Sequence, residues 1–113
     1  MEFKIDELRR ALRTYESSVG AIKDISDRVN TNKRQAFINA FYGSANIYDL
    51  RDLFRMKDTN NVRYAVKKHE EKYVSYLDYC DNYRTAEAIK HMFNANKVLN
   101  EKISAQTKTS EVY

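Results

Sequence analysis

Hydrophobic and aromatic positions alternate four and three residues apart in the segment from Val62 to Tyr83. This heptad spacing predicts a helix that buries one stripe of side chains against another helix. Neither glycine nor proline follows Val62, so we expect the helix to extend over about residues 62–104. The stripe consists of Val62, Val66, His69, Tyr73, Tyr76, Cys80 and Tyr83.

A second stripe with the same spacing lies at the start of the chain and predicts a helix over about residues 2–29. Two shorter apolar groups follow. The first predicts a helix over about residues 32–42, with Thr31 or Asn32 as its N-cap. The second predicts a helix over about residues 47–57, which Asn46 opens. The apolar positions are Ile5, Leu8, Leu12, Tyr15, Val19, Ile22 and Val29, then Ala36, Phe37, Ala40 and Phe41, then Ile47, Leu50 and Phe54.

These patterns predict an all-α fold, because proline is absent and only two glycines interrupt the chain. We expect the long helices to form a helical hairpin or bundle, with Phe37, Phe41, Leu50 and Phe54 at its closed end. A helix over residues 62–104 would be about 60 Å long, against a radius of gyration of about 13 Å for a compact chain of this size. Oligomerisation is therefore expected to complete the bundle.

The long stripe changes phase between Tyr83 and Ile89. Such a shift either rotates the apolar face toward a new partner or ends the helix near residues 81–85. Because no helix-breaking residue lies there, we predict a continuous helix.

Length and composition predict one helical domain over residues 1–103 and a polar, flexible tail over residues 104–113. The single cysteine excludes an intrachain disulfide. The N-terminus has no signal-like apolar segment, and no apolar run approaches the ~20 residues that span a bilayer. We expect a soluble protein of the cytoplasm, without membrane contact. The richness in Lys, Asn and Tyr is typical of AT-rich coding sequences, such as those of phages and mobile elements.

Candidate catalytic and metal-binding groups are sparse. His69 and His91 are about six helical turns apart, and no HExxH or cysteine-cluster spacing occurs, so no metal or cofactor is predicted. Cys80 has no histidine at helical spacing that could activate it. No glycine-rich phosphate loop or separated carboxylate pair is found, so the sequence predicts no catalytic residue, no small-molecule substrate and no enzymatic activity.

The leading hypothesis is a non-enzymatic helical interaction or assembly factor, such as a phage or mobile-element accessory protein. It would bind a second copy of itself or a partner protein through the stripe, whose polar aromatic side chains suit a specific or exchangeable contact. The predicted interaction seam consists of Val66, His69, Tyr73, Tyr76, Tyr83, Phe93 and Leu99.

The alternative hypothesis is an oligomeric protein that binds single-stranded DNA. Tyrosines interleaved with cations form stacking surfaces in such proteins. The formal net charge of +4 favours anionic partners only mildly, and acidic residues interleave with the cations. The candidate nucleic-acid contacts are Arg63, Lys67, Lys68, Lys72 and Arg84.

Two sets of short motifs resemble known families. The segments FYGS at 41–44, LDYC at 77–80 and AIK at 88–90 are similar to segments of phage recombination mediators. That resemblance implies a small helical protein that oligomerises and binds single-stranded DNA. The FYG turn at 41–43, with Tyr83 and Glu87 downstream, resembles the WxG turn and YxxxE signal of type VII secretion substrates. The motif spacing departs from the first family and the tryptophan of the second is missing, so we assign the chain to neither.

Overall fold

A computed structural model describes the backbone of residues 2–111 and the side chains of residues 2–103. Throughout this range the fold is all-α, as predicted, and an isolated bridge between Phe3 and Ala45 joins the N-terminus to the second interhelical turn. Helix α2 lies at the centre and packs against α1, α4, α5 and most extensively α6. The helices are α1 (Ile5–Val19), α2 (Arg28–Phe41), α3 (Ile47–Leu53), α4 (Thr59–Lys67), α5 (His69–Ser75) and α6 (Leu77–Glu111).

The prediction of one helix over residues 2–29 is wrong, because the chain leaves the helix at Gly20. That residue has φ +93° and ψ 157°, a conformation open essentially only to glycine. The Glu16 carboxylate accepts the Ile22 N–H at 2.9 Å and stabilises the turn. Helix α2 then begins at Arg28, and its N-cap is Asp27 in place of the expected Thr31 or Asn32. The third helix begins after Asn46, whose side chain caps it as predicted, but it ends at Leu53.

The prediction of one helix over residues 62–104 is also wrong, because the helix is interrupted at Lys68 and breaks at Tyr76. At Lys68 the backbone stays in the helical region, and its N–H still bonds to the Tyr64 carbonyl at 3.0 Å. Tyr76 has φ −126° and ψ 115°, so the chain is extended there and α5 folds onto α6. The Arg28 guanidinium lies 5.2 Å from the centre of the Tyr76 ring. Packing of rings across the break compensates for the lost helical hydrogen bonds. Helix α6 continues through Thr85, so the phase shift rotates its buried face without ending it.

The core contains an aromatic cluster at the meeting point of α1, α2 and α3. Phe37 stacks on Phe41 with ring centroids 4.5 Å apart, and Phe54 meets Phe37 edge-on at 5.8 Å. Leu50 is fully buried beside them. The residues expected at the closed end of a hairpin therefore do lie together, but they fill the centre of a bundle of shorter helices.

Helix α6 gives the described chain its elongated shape of 59 × 27 × 23 Å. Its 35 residues correspond to a length of about 52 Å. Lys97 attaches it to the N-terminus by an ion pair with Glu7 at 3.2 Å and a hydrogen bond to the Glu2 carbonyl at 3.1 Å. The expected tail over residues 104–113 lies outside the described side chains and remains a prediction. Among the described helices, none is both long and apolar enough to cross a membrane.

Candidate interaction site

The predicted interaction seam is not one continuous surface, because the breaks at Lys68 and Tyr76 send its residues in different directions. His69, Tyr73 and Tyr83 do come together, with ring centroids 4.6 Å apart for His69–Tyr83 and 5.9 Å for Tyr73–Tyr83. They are half-buried inside the monomer, as are Val66, Tyr76 and Phe93. Only Leu99 is exposed to a potential partner, with 54% of its surface accessible. Most of the seam therefore also makes contacts within the monomer, and its use as an intermolecular contact stays a prediction.

Tyr79 also belongs to this aromatic group, with its ring centroid 5.6 Å from that of His69, although the heptad stripe excludes it. Its side chain is fully buried, and its hydroxyl accepts a hydrogen bond from Asn39 Nδ2 at 2.9 Å. The same hydroxyl lies 2.7 Å from His69 Nδ1. Because Asn39 is the donor in the first bond, the Tyr79 hydroxyl is free to donate its proton to His69, and a neutral imidazole then accepts it. We call Asn39, His69 and Tyr79 the polar hub.

Burial favours the uncharged forms of the hub. It lowers the pKa of His69 and raises the pKa of Tyr79, so both groups are neutral near pH 7. Asn39 Nδ2 also donates to the Gln35 carbonyl at 2.9 Å and to the Ala65 carbonyl at 3.0 Å. The hub therefore connects α2 to α4, α5 and α6. It uses its polar groups for internal structure and leaves none aimed at a cleft.

Two of the predicted nucleic-acid contacts, Arg63 and Lys68, bond to side chains three or four residues away in the sequence. Arg63 donates to the Thr59 hydroxyl at 2.9 Å and to Asn60 at 3.3 Å. Lys68 pairs with Glu71 at 3.2 Å. Lys67 is exposed, and within the described part of the chain it has no ion pair.

The other predicted cations take part in tertiary contacts. Lys72 donates to Asn32 Oδ1 at 2.9 Å, and Asn32 Nδ2 donates in turn to Asp78 Oδ2 at 3.3 Å. Desolvation lowers the pKa of Lys72. The nearby Tyr73 hydroxyl raises the pKa of the exposed Arg84 guanidinium. Three of the five predicted cations, Arg63, Lys68 and Lys72, are therefore bonded to protein groups.

Helix α6 has a second line of residues on the side opposite its buried face. Its members are four or three residues apart, and every one is exposed. The large apolar members are Leu77, Met92 and Leu99, which are 78%, 46% and 54% exposed. We call this line the outward stripe; it consists of Leu77, Asp81, Arg84, Ala88, Met92, Ala95 and Leu99.

The outward stripe could have been found from the sequence. If the heptad spacing is counted from Tyr79, the buried face of α6 is Tyr79, Ala86 and Ile89. The residues on the opposite side of the helix then face solvent. The heptad that began at Val62 obscured this pattern, because it assumed a single helix across Lys68 and Tyr76. The apolar residues left on the solvent side are then the signal for a partner surface.

The described residues contain no group of three or more His, Cys, Asp or Glu side chains that could hold a metal ion. Cys80 is a buried free thiol, and His91 is an exposed neighbour of Glu87 at 3.6 Å. No protein-family model matches the chain, and neither a curated protein nor a solved structure matches it.

Proposed function

We propose that this protein is a non-enzymatic assembly factor that pairs with a second copy of itself through the outward stripe of α6. The observation that supports the proposal is the exposure of Leu77, Met92 and Leu99 along one line of α6, about 33 Å long, which also contains the charged Asp81 and Arg84. Exposed apolar side chains at heptad-like spacing are typical of a helix that packs against another helix.

The order of residues in the stripe favours a two-fold, antiparallel pair. The successive spacings are four, three, four, four, three and four, which read the same in both directions from Ala88. An antiparallel partner centred on Ala88 therefore places Leu77 opposite Leu99 and Arg84 opposite Met92. The small side chain at the centre lets the two helices approach closely. Such a self-complementary surface is what a two-fold homodimer requires.

The size of the apolar contact indicates an exchangeable pair. Completing the burial of the three large side chains contributes about 1–2 kcal/mol each, or about 6–12 kcal/mol for two copies. Association costs about 4 kcal/mol or more in lost rigid-body freedom. The difference of at most about 2–8 kcal/mol corresponds to dissociation constants from about 1 µM into the millimolar range.

Sedimentation equilibrium over this concentration range tests the proposal. We expect a reversible monomer–dimer equilibrium that Leu99→Glu abolishes, because the substitution would bury a charge in the pair. Val98→Glu is the matched control, since Val98 is 41% exposed but lies off the stripe. A wild-type protein that stays monomeric throughout, or equal effects of the two substitutions, contradicts the proposal.

The nucleic-acid alternative would be supported by a different result. Labelled single-stranded DNA would have to bind to the wild type in a salt-dependent way. The bonding of Arg63, Lys68 and Lys72 to protein groups weighs against the contacts that this alternative assigns to them.

A further inference from the structure

We propose that a groove between α1 and the turn after α3 binds an acidic peptide segment of another protein, one that carries apolar side chains. Three adjoining depressions of about 200, 370 and 400 Å³ form the groove, and all three are lined by Arg55. We call it the Arg55 groove. None of its lining residues belongs to α6, so the inference does not depend on the outward stripe.

The floor of the groove is apolar. Leu12, Leu53 and Phe54 line it, are half-buried and pack against the hydrophobic core. Met56 adds a further apolar wall to the third depression. Each depression can therefore accommodate an apolar side chain of a bound segment and remove it from water.

The rim of the groove is basic. Its cations are Arg9, Arg13, Lys23, Arg34, Arg55 and Lys57, and its acidic residues are Glu16, Asp24 and Asp52. Two of these acidic groups have internal partners, since Glu16 accepts the Ile22 N–H and Asp52 pairs with Arg51 at 2.8 Å. Two of the cations do as well, since Arg9 pairs with Asp6 at 3.2 Å and Arg34 donates to the Lys23 carbonyl at 2.9 Å. The excess of cations makes carboxylates the complementary groups on a partner.

Arg55 itself adopts a conformation that favours glycine. Its φ is +54°, and it follows the C-terminus of α3, where the Met56 N–H bonds to the Arg51 carbonyl at 2.9 Å. Glycine is the usual residue at this position of a helix end, because it has no Cβ to clash. The chain has an arginine there instead. Because residues in strained backbone conformations cluster at functional sites, we infer that the Arg55 side chain contacts the bound segment.

A buried acceptor in the wall of the third depression distinguishes a peptide from a phosphate chain. Gln35 is 8% exposed, and within the described part of the chain its Oε1 has no hydrogen-bond partner. An unpaired buried carbonyl requires a donor. A peptide backbone has N–H donors, whereas phosphate diester oxygens only accept hydrogen bonds. Gln35 Oε1 is shielded from solvent in the unbound chain, so a peptide N–H reaches it only when the Gln35 side chain turns toward the groove. In that arrangement the groove suits a peptide better than a nucleic-acid backbone.

The test is fluorescence anisotropy at low salt with a short labelled peptide rich in Glu and Leu. We expect the wild type to bind it and Arg55→Gly to bind at least fivefold more weakly, since a rim cation contributes about that much to affinity. Arg55→Gly suits the backbone, so an unchanged or raised melting temperature shows that the loss is not unfolding. Lys67→Ala removes an exposed cation outside the groove and serves as the control for net charge.

Three further probes complete the experiment. Replacing every Glu of the peptide by Lys, or every Leu by Ser, is expected to abolish binding, and labelled oligo-dT is expected to bind less than the Glu and Leu peptide. The inference is overturned if the Glu and Leu peptide does not bind, or if Arg55→Gly binds it as well as the wild type. Equal binding of the Ser-substituted peptide, or a preference for oligo-dT, overturns it as well.

Discussion

Replacing Tyr79 by phenylalanine tests the polar hub with little change in packing. The substitution keeps the buried ring and removes only the hydroxyl, which is bonded to Asn39 and His69 at 2.9 and 2.7 Å. Asn39 Nδ2 keeps its bonds to the Gln35 and Ala65 carbonyls, so it stays satisfied. His69 Nδ1 is the atom that loses its partner.

The magnitude follows from these contacts. The lost hydrogen bond to His69 contributes about 1 kcal/mol net, and leaving the half-buried His69 Nδ1 unpaired costs a similar amount. The free energy of unfolding should therefore fall by about 2 kcal/mol. For a chain of this size such a change lowers the melting temperature by about 8 °C. The stability is lost because the contacts that hold α5 and α6 to α2 are weakened.

Urea and thermal denaturation followed by circular dichroism measure the effect. The matched control is Tyr48→Phe, because Tyr48 is 55% exposed and removal of its hydroxyl should change stability by less than about 0.5 kcal/mol. If Tyr79→Phe costs no more than Tyr48→Phe, the hub does not stabilise the fold and the reasoning above is refuted.

Three other perturbations have defined outcomes. Gly20→Ala should destabilise the protein by about 1–3 kcal/mol in urea denaturation, since φ +93° suits only glycine; a gain in stability and helix content would support one continuous first helix. Arg55→Gly should raise the free energy of unfolding by about 1 kcal/mol, because it relieves a positive φ, and an equal loss would contradict that view. Burial lowers the pKa of His69, so the folded state binds fewer protons than the unfolded state. Stability should therefore fall as pH drops below about 6.5, and His69→Gln should remove that part of the dependence in denaturation curves at several pH values.

The helical class and the short-range patterns were predictable, because they depend on residues close in sequence. Ile5, Leu8 and Tyr15 do lie in a helix, α1, although the predicted helix extended ten residues too far, to residue 29. The cap at Asn46 was predicted correctly, since its side chain accepts the Tyr48 N–H. Gly20 lies inside the predicted first helix. Gly20 ends the helix because of its positive φ, and the hydrogen bond from the Ile22 N–H to the Glu16 carboxylate stabilises the turn that follows. The spacing of apolar residues reveals neither feature.

The breaks at Lys68 and Tyr76 were not predictable from local preferences. Neither position has a glycine or proline, and a heptad continues across both. Tertiary contacts decide the outcome: Arg28 covers the Tyr76 ring, and His69 and Tyr73 pack against Tyr83. Arg28 lies in α2, His69 and Tyr73 lie in α5, and Tyr83 lies in α6. In a single straight helix over residues 62–104, His69 and Tyr83 could not come into contact.

Disulfide trapping tests the antiparallel pairing of the outward stripe most directly. In a Cys80→Ala background, Ala88→Cys puts a thiol at the proposed two-fold axis, where the facing residues of two copies meet. Leu99→Cys puts its thiols about 33 Å apart in the same pair, too far for a disulfide. We predict that mild oxidation gives a covalent dimer with Ala88→Cys and none with Leu99→Cys. Equal trapping at both positions would indicate a parallel pair, and trapping at neither would contradict assembly through this stripe.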